Sequence, residues 1–222
     1  MDVSHVVTLR NMIARNTNIP HEMTCITDSE ESAKALSAEN IRAVPIDWTK
    51  HVPGTCYVRL MLRRPDIGGL LGRRFFQCDL DVVITGNIDH ILSRPEENVY
   101  WRNPNFGLPQ RAYYQTSFQL ITAGTLPELW NDFDPSITPT WVNRRFGGRE
   151  QAYISERLGF DMPVWTEEDG IYGAGRLFGK TMDAGITGEL PSNACIVSFP
   201  GDRAPWQKEL QEKQPWIRDF YI

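Results

Sequence analysis

Two carboxylates separated by one residue, Asp79 and Asp81, form the pattern in this sequence that most clearly predicts chemistry. The run Arg74–Cys78 is typical of a strand, leads directly into these acids, and is followed by the apolar Val82–Ile84. Side chains two residues apart share one face of a straight strand, and ligands of open α/β sheets bind at the carboxyl ends of strands. Two hard oxygen donors suit Mg²⁺ or Mn²⁺ bridging to a diphosphate. Asp79 and Asp81 are therefore predicted metal ligands.

The apolar surroundings of this acidic pair argue against its being an ordinary exposed turn, which is the alternative interpretation. Phe75–Cys78 precedes the pair and Val82–Ile84 follows it. Carboxylates within a mostly buried run need a cation or hydrogen-bond donors to compensate their charge. A divalent cation at this position would stabilise a phosphate leaving group as a Lewis acid.

The elements around the pair alternate between helix and strand patterns, which predicts an α/β sheet flanked by helices. No linker or repeat interrupts the chain, so a single domain over residues 1–222 is expected. The predicted helices are Val3–Arg15, Ser32–Ser37 (capped by the acidic cluster 28–31), Cys56–Arg63, a short one at Ile88–Leu92, Leu126–Phe133, Gln151–Leu158 and Trp206–Gln211. The predicted strands are Met23–Thr27, Ile41–Ile46, Arg74–Cys78, Val99–Trp101, Phe118–Thr122 and Cys195–Val197, and Asp169–Gly188 is predicted to form loops and short elements around a site.

The predicted helix Cys56–Arg63 carries two arginines four residues apart. Pro65 and the Gly68-Gly69 pair are expected to end it. At α-helical spacing Arg59 and Arg63 share one edge of the helix. Arg59 could reach a phosphate from there, and the alternative is that it lies on a solvated face.

The segment Phe76–Ile88 resembles the D-x-D segment of GT-A glycosyltransferases, in particular the glycogenin and galactosyltransferase (family 8-like) group and its bacterial and phage relatives. In that group an apolar strand leads into D-x-D, followed by valines and a Gly-(Asp/Asn)-(Leu/Ile) turn. Four further segments resemble family elements in the same order, so the likeness runs at least from Tyr57 to Trp206. They are Tyr57–Leu60, Ser117–Gly124, Gly148–Gln151 and Ile196–Trp206.

This resemblance implies a GT-A type mixed sheet, with a donor-binding half at about residues 1–125 and an acceptor-side half at about residues 126–222. It implies transfer of a sugar from a nucleotide-diphosphate sugar to an unknown glycan, lipid or protein acceptor, with Mn²⁺ or Mg²⁺ held by Asp79 and Asp81. Glu150 and Gln151 become candidate catalytic residues. The candidate substrate-binding residues are Arg59, Asp79, Asn103, Ser117, Gln119, Gly201 and Arg203. The alternatives are a helix N-terminal acid for Glu150, and loop or strand-edge amides for Asn103 and Gln119.

The sequence departs from the family pattern at three places. Ser198 stands where the family has a metal-binding histidine, and Ala204 aligns with a diphosphate-binding lysine, beside Arg203. The family also begins with a central strand and a base-binding loop, whereas this chain starts at what resembles the first helix. An N-terminal strand is therefore expected to be missing from the sheet centre. These departures motivate a second hypothesis, a non-catalytic nucleotide-sugar or carbohydrate-binding remnant.

A third hypothesis is a phosphohydrolase of the haloacid dehalogenase type, because Asp79–Val83 matches its D-x-D nucleophile motif. That motif normally lies on the first strand, whereas two predicted strands precede it here. The later lysine and acidic pair that the reaction requires are not evident in the sequence.

Composition and charge exclude several other classes. The formal net charge is -5, which argues against a nucleic-acid partner. No apolar run approaches the roughly 18 residues that cross a bilayer, and the N-terminus has no signal-peptide pattern. The four cysteines form no C-x-x-C pair and are expected to be buried free thiols in a reducing compartment. A cytoplasmic location is therefore predicted.

Overall fold

The strands of the protein divide into three sheets that meet around the acidic pair. The computed structural model describes residues 2–46, 56–107, 112–134, 150–178, 189–199, 201 and 203–222. Within these ranges the sheet orders are β1–β2, β3–β6–β5–β7 and β4–β9–β8. The strands are β1 Thr24–Thr27, β2 Arg42–Pro45, β3 Arg74–Cys78, β4 Val82–Ile84, β5 Asn98–Arg102, β6 Tyr114–Thr122, β7 Val164–Trp165, β8 Ile171–Gly173 and β9 Ile196–Ser198.

Helices cover these sheets, and the first two follow the sequence pattern closely. In α1 (Val3–Asn16) the residues Val6, Leu9 and Met12 are buried, as apolar residues three apart on one face should be. Ser29 caps α2 (Glu30–Ala38) by accepting from the amide of Ser32, which confirms the predicted cap. The remaining helices are α3 Ile67–Leu71, α4 Asp89–Leu92, α5 Glu128–Asn131, and the helices Glu150–Leu158, Ala174–Leu177, Lys208–Lys213 and Trp216–Phe220.

The chain changes sheets at the acidic pair. β3 pairs antiparallel with β6, whereas β4 pairs antiparallel with β9, with Val82 opposite Ser198. The main hydrophobic core includes buried residues of both sheets, among them Val83, Phe118 and Val197. Asp79-Leu80-Asp81 is therefore the crossover between two sheets that share one core.

The first two sheets are not joined to each other. Among the described strands β1 pairs with β2 alone and β3 pairs with β6 alone. A cavity of about 820 Å³ lies between them, and residues of β1, β3, α1 and the segment after Cys56 line it.

Two predictions about the elements were wrong, and so was the expected burial of all four cysteines. Cys56–Arg63 has the predicted bounds but is a 3-10 helix, and Gly68-Gly69 lies inside α3 rather than ending a helix. β7 and the helix Trp216–Phe220 were not predicted, because short elements carry too few residues to show a period. Of the four cysteines, which were expected to be buried, Cys195 alone is buried and Cys56 is exposed. None of the helices in the described ranges has the length and apolar character that a membrane span needs.

Candidate functional site

The crossover is held at both ends by backbone hydrogen bonds to neighbouring strands. The amide of Asp79 donates to the carbonyl of Ser117 at 2.9 Å, and the amide of Phe199 donates to the carbonyl of Asp81 at 2.9 Å. β3 ends at Cys78 and β4 begins at Val82, so neither aspartate lies in a strand. The two side chains are therefore positioned by the crossover and its partners, and not by strand alternation as the sequence suggested.

Arg59 binds the first of the two aspartates through both of its carboxylate oxygens. Its Nη2 lies 2.8 Å from Oδ1 and 2.8 Å from Oδ2 of Asp79. Its Nη1 lies 2.8 Å from Oε1 of Glu150. The guanidinium is thus shared between two carboxylates, and Arg59 does not lie on a solvated helix face. Burial lowers the pKa of this guanidinium, but Asp79 and then Glu150 raise it, and the net change is upward.

The 3-10 form of Cys56–Arg63 explains why its two arginines have different partners. In an α-helix residues four apart lie about 40° from each other around the axis, whereas with three residues per turn they lie about 120° apart. Arg59 accordingly reaches Asp79, while Arg63 is buried beside Tyr100 and Gln119. The prediction that the two arginines share an edge was wrong.

Glu150 lies beneath this ion pair and is completely buried. Its Oε1 also accepts from the hydroxyl of Thr116 at 2.5 Å. Its Oε2 has no hydrogen-bond partner within the described ranges. Glu150 begins the helix Glu150–Leu158, so the sequence alternative of a helix N-terminal acid is also satisfied. The carboxylate is enclosed as a partner of Arg59.

Asp81 contrasts with Asp79, because no side chain in the described part of the protein forms a hydrogen bond or ion pair with its carboxylate. The neighbouring Ser198 is fully buried, and its hydroxyl lacks a described partner. We refer below to Arg59, Asp79, Thr116 and Glu150 as the Asp79 side, and to Asp81 and Ser198 as the Asp81 side.

The pKa values of both aspartates are raised. Burial raises the pKa of Asp79 to about 6, since it outweighs the lowering by Arg59; the charge of Asp81 adds to the rise. Burial also raises the pKa of Asp81. Both carboxylates are thus placed where a further positive charge would be favourable.

Of the other predicted binding residues, Ser117 contacts Asp79 directly, and Gly201 and Arg203 follow β9 in the chain. Ser117 supplies the carbonyl that holds Asp79, and its hydroxyl lowers the pKa of that carboxyl by hydrogen bonding. Gly201 is exposed at φ 88, and Arg203 is half-buried.

Two predicted amides are engaged within the protein. Asn103 is buried, donates to the carbonyl of Ala112 at 2.8 Å and accepts from the amide of Asn105 at 2.9 Å. These are the contacts of a loop amide, which was the alternative interpretation. Gln119 is buried, with Gln77 and Arg63 as partners. Gln151 is half-buried, and its carbonyl accepts from Ser155. Gly148 and Arg149 of the predicted family segment lie outside the described residues.

The donor set fits a divalent cation only if a ligand completes its coordination. No group of three or more His, Cys, Asp or Glu side chains in the described ranges could hold a metal ion. Mg²⁺ commonly binds one or two carboxylates together with phosphate oxygens and water. The two carboxylates of Asp79 and Asp81 fit that pattern and do not fit an all-protein cage.

Comparison of the sequence with known protein families and with curated proteins finds no match. Comparison of the structure does. The galactosyltransferase LgtC, solved with donor and acceptor sugar analogs, has a TM-score of 0.62 at 10% identity, over 99% of this chain and 93% of LgtC. The glycosyltransferase GlyE of Streptococcus pneumoniae TIGR4 has a TM-score of 0.63 at 11% identity, over 99% of this chain and 58% of GlyE.

The chain has the GT-A glycosyltransferase fold. The bifunctional glycosyltransferase WbbM supports the same conclusion, with a TM-score of 0.57 at 12% identity over 100% of this chain and 50% of WbbM. At these identities the likeness concerns the fold. The structural similarity confirms the GT-A fold class that the D-x-D resemblance implied.

Sequence reasoning missed three residues of the network around Asp79. Thr116 donates to Glu150 and Gln77 donates to Asp79. Arg63 donates to Gln119. Gln77 could have been found, because the predicted strand runs into Asp79 and Gln77 lies two residues before it. Thr116 and Arg63 could not, because only tertiary packing brings them to the site.

Proposed function

We propose that this chain is a glycosyltransferase that binds a nucleotide-diphosphate sugar through a divalent cation at the Asp79–Asp81 crossover. The observation that carries the proposal is the asymmetry of the two acids in a GT-A fold: Asp79 is fixed by Arg59, and Asp81 is left without a side-chain partner among the described residues. A carboxylate with a raised pKa and no cation is suited to accept one.

Each of these residues would have a separate role in binding. Asp81 and an oxygen of Asp79 would hold Mn²⁺ or Mg²⁺, and the bound ion would supply Lewis-acid stabilisation of the departing diphosphate. Arg59 keeps Asp79 in one orientation. Arg203 would add positive charge in place of the family lysine, which Ala204 replaces. Glu150 would act by holding Arg59, since its enclosed side chain is bonded to protein groups. Gln151 remains a predicted catalytic residue.

Support for the donor class comes from the fold and from one neighbour. LgtC was solved with donor and acceptor sugar analogs and covers nearly all of this chain. The donor sugar, the base and the acceptor stay open, so a test must offer several nucleotide diphosphates.

Calorimetry on the full chain tests the proposal, with uridine, guanosine, adenosine and cytidine diphosphates titrated with and without MnCl₂ or MgCl₂. We expect binding that requires the metal, and Asp81→Asn should weaken it at least about tenfold, the scale of one lost charged contact. Asp219→Asn, an exposed acid in the C-terminal helix, is the matched control and should keep the wild-type affinity. A folded wild-type chain that binds none of these nucleotides with either metal would refute the proposal.

The second candidate is a non-catalytic nucleotide-sugar binding protein, and Ser198 is the observation that favours it. A buried serine hydroxyl without a described partner replaces an imidazole ligand at the Asp81 side. Release of nucleotide diphosphate from a donor sugar, even without acceptor, would exclude this candidate. Binding without turnover, for every donor that binds, would favour it.

The haloacid dehalogenase hypothesis gains no support from the site. Asp79, which would be the nucleophile, follows the third strand of the chain, and both of its oxygens accept hydrogen bonds from Arg59. The fold is that of glycosyltransferases.

A further inference from the structure

Arg63 is a buried cation whose partners are neutral. It is 2% exposed. Its Nη1 donates to Oδ1 of Asn98 at 2.5 Å, and its Nη2 donates to the Tyr100 hydroxyl at 2.6 Å and to Oε1 of Gln119 at 3.0 Å. No carboxylate in the described ranges lies within ion-pair distance of it. Burying a charge without a counter-charge costs folding free energy. The partners of Arg63 must therefore compensate its charge.

A chain of two amides leads from Arg63 to Asp79. Nε2 of Gln119 donates to Oε1 of Gln77 at 3.0 Å, and Nε2 of Gln77 donates to Oδ1 of Asp79 at 3.2 Å. The buried cation and the carboxylate of the crossover are therefore the two ends of one hydrogen-bonded row.

The register of the sheet builds this row. Tyr100 of β5 lies opposite Gln119 of β6, and Gln119 lies opposite Gln77 of β3. Directly opposed residues in antiparallel strands project from the same face, and Asp79 follows Gln77 by two residues. Three adjacent strands thus place Tyr100, Gln119 and Gln77 in line across one face, and Asp79 follows at the end of β3.

The chemistry of the two ends fixes the direction of both amides. Arginine can donate but cannot accept, so Gln119 must turn its oxygen toward Arg63 and its nitrogen toward Gln77. An ionised Asp79 can accept but cannot donate, which gives Gln77 the same direction. Both amide dipoles then point the same way between a positive and a negative end, an arrangement in which each bond strengthens the next.

We propose that Arg63, Gln119 and Gln77 are positioning residues that hold the Asp79 carboxylate in its ligand-binding orientation. The predicted change in nucleotide affinity rests on the proposed function. The predicted change at the Gln77 amide rests only on the geometry of the hydrogen-bonded row. Gln119 then acts through Gln77 and not by touching a sugar, in place of the substrate-binding role expected from the sequence.

The test compares two nearly isosteric amide-to-acid changes on either side of Arg63. Gln119→Glu gives Arg63 a carboxylate but removes the donor that Gln77 needs. Asn98→Asp gives Arg63 a carboxylate at its other nitrogen and leaves the row intact. Both variants supply a counter-charge to the buried cation, so both should fold with a Tm no lower than that of the wild type.

We expect Gln119→Glu to weaken metal-dependent nucleotide binding about tenfold, the scale of one hydrogen bond to a charged group, while Asn98→Asp leaves it unchanged. The proposal would be overturned if both variants kept the wild-type affinity, or if both lost affinity by the same factor. In ¹⁵N-labelled protein without ligand, the side-chain amide signal of Gln77 should shift in Gln119→Glu and stay in place in Asn98→Asp. If the wild type binds no nucleotide, the proposed function fails, and the Gln77 signal alone tests whether the hydrogen-bonded row exists. A Gln77 signal that does not move in Gln119→Glu would refute the row.

Discussion

The two sides of the crossover differ in how the protein treats a buried carboxylate. On the Asp79 side a shared arginine, a threonine hydroxyl and an amide row supply donors to two acids. On the Asp81 side the described residues supply no side-chain donor to the carboxylate. The hydroxyl of Ser198 has no hydrogen-bond partner among the described residues. The protein supplies a cation to Asp79, whereas among the described residues it supplies none to the carboxylate of Asp81. The comparison teaches that a two-acid motif need not consist of two equivalent ligands.

Removing Arg59 should break this contrast and have the largest effect on stability. Arg59→Met leaves Asp79 and the enclosed Glu150 without their cation. We expect the free energy of unfolding to fall by about 3 kcal/mol, the lower end for breaking a buried pair, since the guanidinium is 29% exposed. Urea denaturation at pH 7 measures it.

Arg157→Met is the control for this change, because its partner Asp132 is 52% exposed and the pair should contribute less than about 1 kcal/mol. Similar losses in the two variants would mean that the Asp79 side is held by packing and not by the shared guanidinium.

The raised pKa of Asp79 sharpens the comparison through pH. The carboxyl has a pKa of about 6 in the folded protein against an ordinary value of 3.8. The folded state therefore holds this proton more tightly, and ionised Asp79 reduces stability above pH 6 relative to pH 4. The unfolding free energy of the wild type, relative to Asp79→Asn, should fall by about 2 kcal/mol as the pH rises across this window and then level off.

Denaturation at half-unit pH intervals on the wild type, Asp79→Asn and Asp219→Asn checks this expectation. Asp219→Asn should track the wild type, because its carboxylate is exposed. A difference between the wild type and Asp79→Asn that is constant, or that grows with rising pH, would show that Arg59 outweighs burial at Asp79.

The smallest expected effect concerns the backbone at Gly201, which follows β9 in the chain. Gly201 has φ 88, and a Cβ there would meet no atom within 4 Å. Gly201→Ala should therefore cost about 1 kcal/mol through backbone strain alone. Gly175→Ala, within the helix Ala174–Leu177 and also in open space, should instead stabilise by about 0.5 kcal/mol. Thermal unfolding of both variants measures the pair; a loss in both would point to a steric cause.

Much of the fold could be predicted from local patterns. The helix at Val3–Asn16, the strand at Arg74–Cys78 and the cap at Ser29 follow from spacing and residue type, because neighbours in sequence determine them. The 3-10 form of Cys56–Arg63 could not be predicted, since its eight residues fit either helix and packing decides between them. That one difference sends Arg59 and Arg63 to separate partners.

The sequence alone determined that two acids emerge from a buried strand and are followed by apolar residues, and the order of segments around them determined the resemblance to GT-A glycosyltransferases. Only the tertiary structure decided that the acids lie between two sheets, that Arg59 and Glu150 meet at Asp79 across 91 residues of chain, and that Asp81 is left open. The physical reason is that hydrogen bonds and ion pairs between distant segments depend on register and packing, which residue type and local spacing do not encode.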